Sequence, residues 1–200
     1  MEKVKLSSKE KYLGEVDNKL KKIIEKNGHI VFKPNRKNQF ESLVKIIISQ
    51  FISTKAANTI FLNLKKSLNT DSLQPLVFRN LSTYEIKKLG LSVNKSRSIK
   101  SLSDLFIDQN FTDLKQLSED DLHKNLLSVF GVGNWSVSMF EIFCIGKLNI
   151  FSSKDAALRI SMNRFGMIKP ESDLKFYDDY AERWSPYKTI ASLHLWKAID

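Results

Sequence analysis

A short pattern that starts helices recurs along the chain and constrains its fold more than any other feature. A serine or asparagine is followed three residues later by Glu or Asp, so the first side chain can cap the first turn while the acid bonds back. The pattern occurs at Ser7/Glu10, Asn38/Glu41, Ser82/Glu85, Ser118/Asp121 and Ser152/Asp155. Apolar residues at helical spacing follow several of these starts, and only residues 30–32 resemble a strand. The sequence therefore predicts an all-α fold of about ten to twelve helices.

The composition is that of a globular protein with a strong positive charge. Hydrophobic residues make up 42% of the chain and charged residues 27%, which argues against disorder. The formal net charge of +10 favours polyanionic partners, among which nucleic acid is the commonest. A basic proteome or a need for solubility would produce the same charge, so charge alone leaves both interpretations open.

Several kinds of site and location are excluded. Cys144 is the only cysteine, so neither a disulfide framework nor a four-cysteine zinc or iron–sulfur site is possible. His29, His123 and His194 show no metal-ligand spacing. The amino terminus is charged and has no apolar core, so we expect no secretory signal, and no apolar run approaches the roughly 20 residues that span a bilayer. We expect a soluble intracellular protein, in the cytoplasm or nucleoid, or in the nucleus if the source is a eukaryote.

Two glycines, Gly131 and Gly133, lie between two helical stretches. Glycine permits a tight turn with positive φ, and it leaves the backbone N–H groups at the start of the next helix open to a phosphate. An ordinary turn between two helices would need the same residues, so the spacing alone does not decide between these explanations.

The segment that contains these glycines reads GVGNWSVSMFEIF over residues 131–143 and resembles part of a helix-hairpin-helix. Four more blocks resemble the same family in the same order. They are IISQFISTKAA (47–57), GLSVNK (90–95), FSSKDAAL (151–158) and RWSPYK (183–188) with a later LW (195–196). Together they are similar to the helix-hairpin-helix (HhH-GPD) DNA glycosylase superfamily, in its 3-methyladenine DNA glycosylase branch.

This resemblance implies a two-lobed helical bundle formed by one HhH-GPD unit over residues 1–200. One lobe would be a helical barrel over residues 39–147, with the hairpin at 126–137. The other would combine residues 1–38 with residues 148–200.

Asp155 matches the catalytic aspartate of the family. The same residue pairs with Ser152 in a helix-start pattern, and the two interpretations are compatible. The positive end of a helix dipole favours an ionised carboxylate, which could stabilise the cation that forms on the sugar and orient a water molecule. Such a group would be a poor strong base.

The resemblance also implies a substrate pocket that contains Trp135, Trp196, Met139 and Gln50. Electron-rich rings attract a cationic alkylated base, although both tryptophans could instead be ordinary core residues. Trp135 occupies the position at which the strand-cleaving relatives carry a nucleophilic lysine, so we expect no such cleavage. Trp184 is interpreted as structural.

Phe51 follows Gln50 where many relatives have a second glutamine. In the family this segment fills the gap left by a flipped nucleotide, and an apolar wedge could do so, although Phe51 could also belong to the core. The remaining expected DNA contacts are Ser53, Lys55, Lys95, Gly131, Gly133, Asn134 and Lys147. A monovalent sodium or potassium ion on the backbone carbonyls of Leu127, Val129 and Val132 is also implied.

The resemblance predicts a monofunctional DNA glycosylase of base excision repair. It would act as a monomer on damaged double-stranded DNA, flip out 3-methyladenine, 7-methylguanine or a similar base, and hydrolyse the N-glycosidic bond without an organic cofactor. Two alternatives stay open: a related glycosylase for deaminated or oxidised bases, and a non-catalytic helix-hairpin-helix DNA-binding module.

Overall fold

The computed structural model describes residues 6–111 and 113–199, and within these residues it contains twelve α-helices and no strand. The helices are α1 (Ser8–Val16), α2 (Asn18–Asn27), α3 (Gln39–Ser49), α4 (Thr54–Ser67), α5 (Pro75–Arg79), α6 (Thr83–Lys88), α7 (Val93–Asp108), α8 (Glu119–Ser128), α9 (Asn134–Phe140), α10 (Ala156–Arg164), α11 (Leu174–Ala181) and α12 (Lys188–Lys197). Short 3₁₀ turns span Leu114–Gln116 and Glu182–Trp184, and a π-helical turn over Glu141–Ile145 continues α9. The predicted all-α class is confirmed.

Most of the expected helix starts are confirmed. Ser7, Asn38, Ser82 and Ser118 each accept the backbone N–H three residues later, and Ser7 and Ser82 form complete capping boxes. The expected start at Ser152 is wrong. Helix α10 begins at Ala156, and Asp155 is itself the N-cap. Aspartate and serine are equally good N-cap residues, and here the later of the two candidates, Asp155, takes the position.

The chain divides into two compact units. We call residues 1–34 and 146–200 the terminal unit and residues 35–145 the hairpin unit.

The hairpin unit is built around α3. Its apolar face includes the fully buried Leu43, Val44 and Ile47, and it packs against α4, α7 and α9. Phe40 adds ring contacts to Phe78 and Phe106. Helices α5 and α6 pack on α7, so α7 connects the central helix to the outer ones.

The terminal unit packs α1, α2, α10 and α12 around a shared core. Trp184 is fully buried in it and donates its Nε1–H to Oδ2 of Asp17 at 3.0 Å, in agreement with a structural role. In the part of the chain that the structure describes, no helix has the length and apolar character needed to cross a membrane.

Candidate active site

The hairpin connects the end of α8 at Ser128 to the start of α9 at Asn134. Its two glycines differ in backbone conformation and in the space available for a Cβ atom. Gly131 has φ +75°, and a Cβ atom there would lie 2.4 Å from Oγ of Ser98, so only glycine fits. Gly133 has an ordinary extended backbone, and an added Cβ would meet nothing within 4 Å. Folding therefore explains Gly131 but not Gly133. An open backbone at Gly133 suits the close approach of a ligand.

Helix α7 supports the hairpin through side chains that the sequence analysis missed. The backbone N–H of Phe130 donates to Oγ of Ser101 at 3.1 Å, next to the close approach of Ser98 to Gly131. The Arg97 guanidinium lies 4.0 Å from the centroid of the Phe130 ring. Ser98 and Arg97 lie three and four residues before Ser101, so both neighbour it on one helix face, which was the available signal.

Gln50, expected in the substrate pocket, holds the hairpin in place. Its Nε2 donates to the carbonyl oxygen of Gly131 at 3.0 Å and to Oγ of Ser136 at 2.9 Å. Ser136 is 2% exposed and was not among the predicted site residues. Because Gln50 ends α3, these two bonds fix the carboxyl end of the central helix against the turn.

Lys95 was expected to contact phosphate, but its ammonium group is occupied within the protein. It donates to the backbone carbonyl oxygen of Ile48, in the last turn of α3, at 2.6 Å. Burial lowers the pKa of Lys95. The ammonium satisfies a carbonyl that the helix leaves without a partner, so Lys95 positions the segment before Phe51.

Phe51 lies at the corner between α3 and α4 and is completely exposed, with a relative exposure of 103%. The alternative that it belongs to the core is therefore wrong. Its φ of +60° is a left-handed conformation that costs a bulky residue roughly 1–2 kcal/mol. Ser53 then caps α4 by accepting the N–H of Ala56, and Lys55 is exposed on the first turn.

The first turn of α9 holds two other expected site residues. Asn134 is exposed, and Trp135 is half-buried. Met139, one turn further along, is 4% exposed, so it belongs to the packed side of the helix. The hairpin unit thus brings Gln50 and Gly131 into direct contact, with the exposed Phe51 next in sequence to Gln50.

The carbonyls expected to hold a monovalent cation belong to the end of α8 and the turn. Leu127 lies in the last helical turn, where carbonyl groups lack helical partners. The carbonyl oxygen of Val129 accepts the N–H of Val132 at 3.1 Å and keeps a second lone pair.

The terminal unit contains Asp155, which is 8% exposed at the amino end of α10. Its Oδ1 accepts the backbone N–H of Leu158 at 2.9 Å and the indole N–H of Trp196 at 3.1 Å. These bonds fix the orientation of the carboxylate, and the helix dipole adds positive potential. The arrangement suits a carboxylate that stabilises a cation formed beside it. Trp196, expected to contact the base, is here an orienting donor.

The loop before Asp155 is held by side chains that sequence reasoning did not identify. Thr189 is fully buried, donates to the carbonyl oxygen of Lys147 at 2.8 Å and accepts the N–H of Ile150 at 3.1 Å. Oγ of Ser153 donates to Asp178 at 2.8 Å. These bonds place Lys147 and the aspartate loop on a rigid support. No local pattern indicates Thr189, which is about 40 residues from its partners.

Comparison with known proteins places this geometry in a family. The family model described as "HhH-GPD superfamily base excision DNA repair protein" matches residues 44–186. An alkylbase DNA glycosidase-like protein of Schizosaccharomyces pombe is 25% identical over 94% of this chain and 91% of its own length. DNA-3-methyladenine glycosylase 1 of the same yeast is 27% identical over 96% of this chain and 87% of its own length.

Solved structures agree with the fold. The DNA-3-methyladenine glycosidase of Bacillus halodurans is 28% identical, with a TM-score of 0.75, over 96% of this chain and 89% of its own. The S. pombe 3-methyladenine DNA glycosylase in complex with abasic DNA has a TM-score of 0.82 at 24% identity, over 96% of each chain.

Proposed function

Because the chain belongs to the HhH-GPD superfamily of base excision DNA repair proteins, we propose that it is a DNA glycosylase that removes alkylated bases. One observation carries the proposal. Asp155 is a nearly buried carboxylate, fixed by two N–H donors at a helix start, in a chain whose similarity to 3-methyladenine DNA glycosylases extends over almost its full length. A structural N-cap alone would not need the second donor from Trp196.

In the proposed reaction the hairpin unit binds the DNA backbone. The backbone around Gly133 is open to a ligand, and its N–H groups would donate to a phosphate oxygen, as backbone amides at helix starts do. The net charge of +10 supplies the long-range attraction to DNA. Phe51 is exposed and directly follows Gln50, which contacts this turn. It would enter the base stack and fill the gap left by the flipped nucleotide.

The chemistry suits a base that already carries positive charge. When the bond between the sugar C1′ and the base nitrogen breaks, its electron pair goes to the base and C1′ becomes cationic. Asp155 would stabilise this cation, and water would add to C1′ and lose a proton to give an abasic site and a free base. Trp135, half-buried at the start of α9, offers a ring face to a cationic base.

We further propose that the enzyme lacks strand-cleaving lyase activity. Lyase chemistry in this family needs an amine that forms a Schiff base with the sugar. The corresponding position holds Trp135, with Asn134 and Ser136 beside it, and none of these side chains is an amine. Water therefore serves as the nucleophile.

We also propose that the hairpin carbonyls hold a monovalent sodium or potassium ion. Leu127 and Val129 would offer uncharged oxygen ligands at the end of α8, where the dipole is negative, and Val132 would add one from the turn. When bound, such an ion would stabilise the turn electrostatically. The chain's own contribution is the turn geometry that Gln50 and Ser101 maintain.

The test is release of free base from defined duplexes. Each duplex contains one 3-methyladenine, 7-methylguanine, ethenoadenine, hypoxanthine or uracil, and a matched undamaged duplex serves as the control. Release from the alkylated duplexes supports the proposal. Release only from hypoxanthine or uracil would replace it with a deaminated-base glycosylase, and binding without release would indicate a DNA-binding module. Borohydride should trap no covalent protein–DNA adduct, and an adduct would contradict the absence of lyase activity.

A further inference from the structure

The hairpin has no formal charge of its own, and helix α7 supplies one beside it. Residues 125–140, which contain the turn and both of its flanks, include no Lys, Arg, Asp or Glu. The guanidinium of Arg97 lies 4.0 Å from the ring centroid of Phe130, the residue directly before Gly131. We propose that Arg97, held on the Phe130 ring, binds a phosphate of the DNA backbone beside the hairpin. The inference rests on the proposed binding of DNA by the hairpin unit, and not on the glycosylase reaction.

The part of α7 that supports the turn also carries Arg97. Ser98 approaches the turn so closely that a Cβ atom on Gly131 would lie 2.4 Å from its Oγ. Ser101 accepts the backbone N–H of Phe130 at 3.1 Å. Arg97 directly precedes Ser98 and lies about one helical turn before Ser101. The contacts that fix the backbone of the turn therefore also fix the position of the cation beside it.

The contact with the ring does not use the N–H donors of Arg97. A guanidinium has five such donors, and a phenyl ring attracts its charge but has no oxygen or nitrogen atom to accept them. Arg97 is exposed, and within residues 6–111 and 113–199 it makes no ion pair and donates no hydrogen bond. The ring thus orients the guanidinium and leaves its donors for a ligand.

Neighbouring cations are already used by the fold. Lys95 and Lys100, the other two basic residues of α7, both donate to backbone carbonyl oxygens. Arg79, on α5, lies against two aspartates of α7. Arg97 differs from all three, because its charge is presented at the surface without a carboxylate or carbonyl partner in the part of the chain that the structure describes.

The acceptor that fits this arrangement is a phosphate. A guanidinium can donate two parallel N–H bonds to one phosphate group, which makes arginine well suited to phosphate recognition. Arg97 lies beside the turn to which the proposed function assigns the DNA backbone, so a phosphate is the group within its reach. Phosphate contacts set the position of a protein on the duplex and carry no sequence information. Arg97 would therefore hold the hairpin on DNA whatever bases surround the lesion.

The experiment measures the affinity of the full chain for an abasic duplex by fluorescence anisotropy, over a series of KCl concentrations. Arg97→Gln and Phe130→Leu are compared with the wild type singly and together, and urea unfolding confirms that each variant is folded. Arg79→Gln is the matched control. It removes the same charge from the same unit, but Arg79 pairs at 3.0 Å with both Asp104 and Asp108, which lie about 10 Å or more along α7 from Arg97.

Each phosphate that a protein neutralises contributes about −0.9 to the slope of log affinity against log salt concentration. Arg97→Gln should therefore flatten the slope by about 0.9 and weaken binding at low salt at least about tenfold. Arg79→Gln should keep the wild-type slope. Phe130→Leu should weaken binding when Arg97 is present but add no loss in the Arg97→Gln background, because the ring acts through the cation.

The contrary results are distinct. Wild-type slope and affinity in Arg97→Gln would overturn the inference and leave the DNA binding of the proposed function intact. Equal flattening by Arg79→Gln would also overturn it, since net charge alone would then explain the effect. A further loss from Phe130→Leu in the Arg97→Gln background would contradict the orienting role of the ring. Failure of the wild type to bind DNA would refute the proposed function together with this inference.

Discussion

Gly133→Ala separates the role of the hairpin in folding from its role in binding DNA. The backbone at Gly133 is extended, with φ −116° and ψ −178°, and the new methyl group would meet no atom within 4 Å. The change removes freedom from the unfolded chain without strain, but Gly133 is the N-cap of α9, where alanine is less favourable than glycine. The two effects oppose each other, so the free energy of unfolding should change by less than about 1 kcal/mol. The same methyl group covers the backbone where a phosphate would approach. Loss of one charge-assisted hydrogen bond of about 1.5–3 kcal/mol weakens DNA binding about 10- to 150-fold.

Two other glycines provide the controls. Gly90 has φ +95° and open space around it, so Gly90→Ala measures conformational strain alone. Gly131→Ala adds the contact with Ser98 to a similar strain and should destabilise the protein more. Urea unfolding gives the stabilities, and fluorescence anisotropy with an abasic duplex at fixed salt gives the affinities. Unchanged DNA affinity in a stable Gly133→Ala protein would refute the assignment of this turn to phosphate binding.

Three further predictions use other parts of the two units. Trp196→Phe removes the indole donor to Asp155 but keeps an aromatic ring, so single-turnover excision should slow about 10- to 150-fold; an unchanged rate would show that the donor is not needed. Phe51→Asn places a residue that tolerates the left-handed backbone at this corner, so the free energy of unfolding in urea should rise by up to about 1 kcal/mol. The same variant loses the apolar ring, so excision should fall, and unchanged excision would exclude the wedge. Burial alone would raise the pKa of Glu10, but hydrogen bonds from Ile30, His29 and Ser7 outweigh it and lower the pKa to about 2. Because the folded pKa lies below the unfolded value, this stability is complete above about pH 4.5 and is lost toward pH 2. Between pH 4.5 and pH 2 the free energy of unfolding of the wild type should therefore fall by on the order of 2–3 kcal/mol more than that of Glu10→Gln. Urea unfolding at both pH values measures this, and equal losses would contradict the lowered pKa of Glu10.

The parts of the fold that could be predicted are those set by neighbouring residues. Ser7 and Ser82 cap their helices because each cap and its acid lie within one turn. Gly131 could be identified as a turn residue for the same local reason.

The parts that could not be predicted depend on partners far along the chain. Ser152 and Asp155 are both plausible caps, and the choice of Asp155 accompanies a hydrogen bond from Trp196, 41 residues away. Lys95 looks like any surface lysine until α3 places the Ile48 carbonyl beside it. The contact of His123 with Glu141 cannot be seen from local spacing, because Glu141 follows 18 residues later. Local rules do not specify such contacts.

The central claim is that Asp155 performs the chemistry rather than only capping α10. The most direct test measures single-turnover release of 7-methylguanine by Asp155→Asn, with DNA affinity measured in parallel. The amide oxygen can still accept both N–H groups, so the fold and binding should persist while excision falls at least about a hundredfold. Asp173→Asn, at the exposed start of α11, should excise at the wild-type rate. Excision by Asp155→Asn at the wild-type rate would contradict the account.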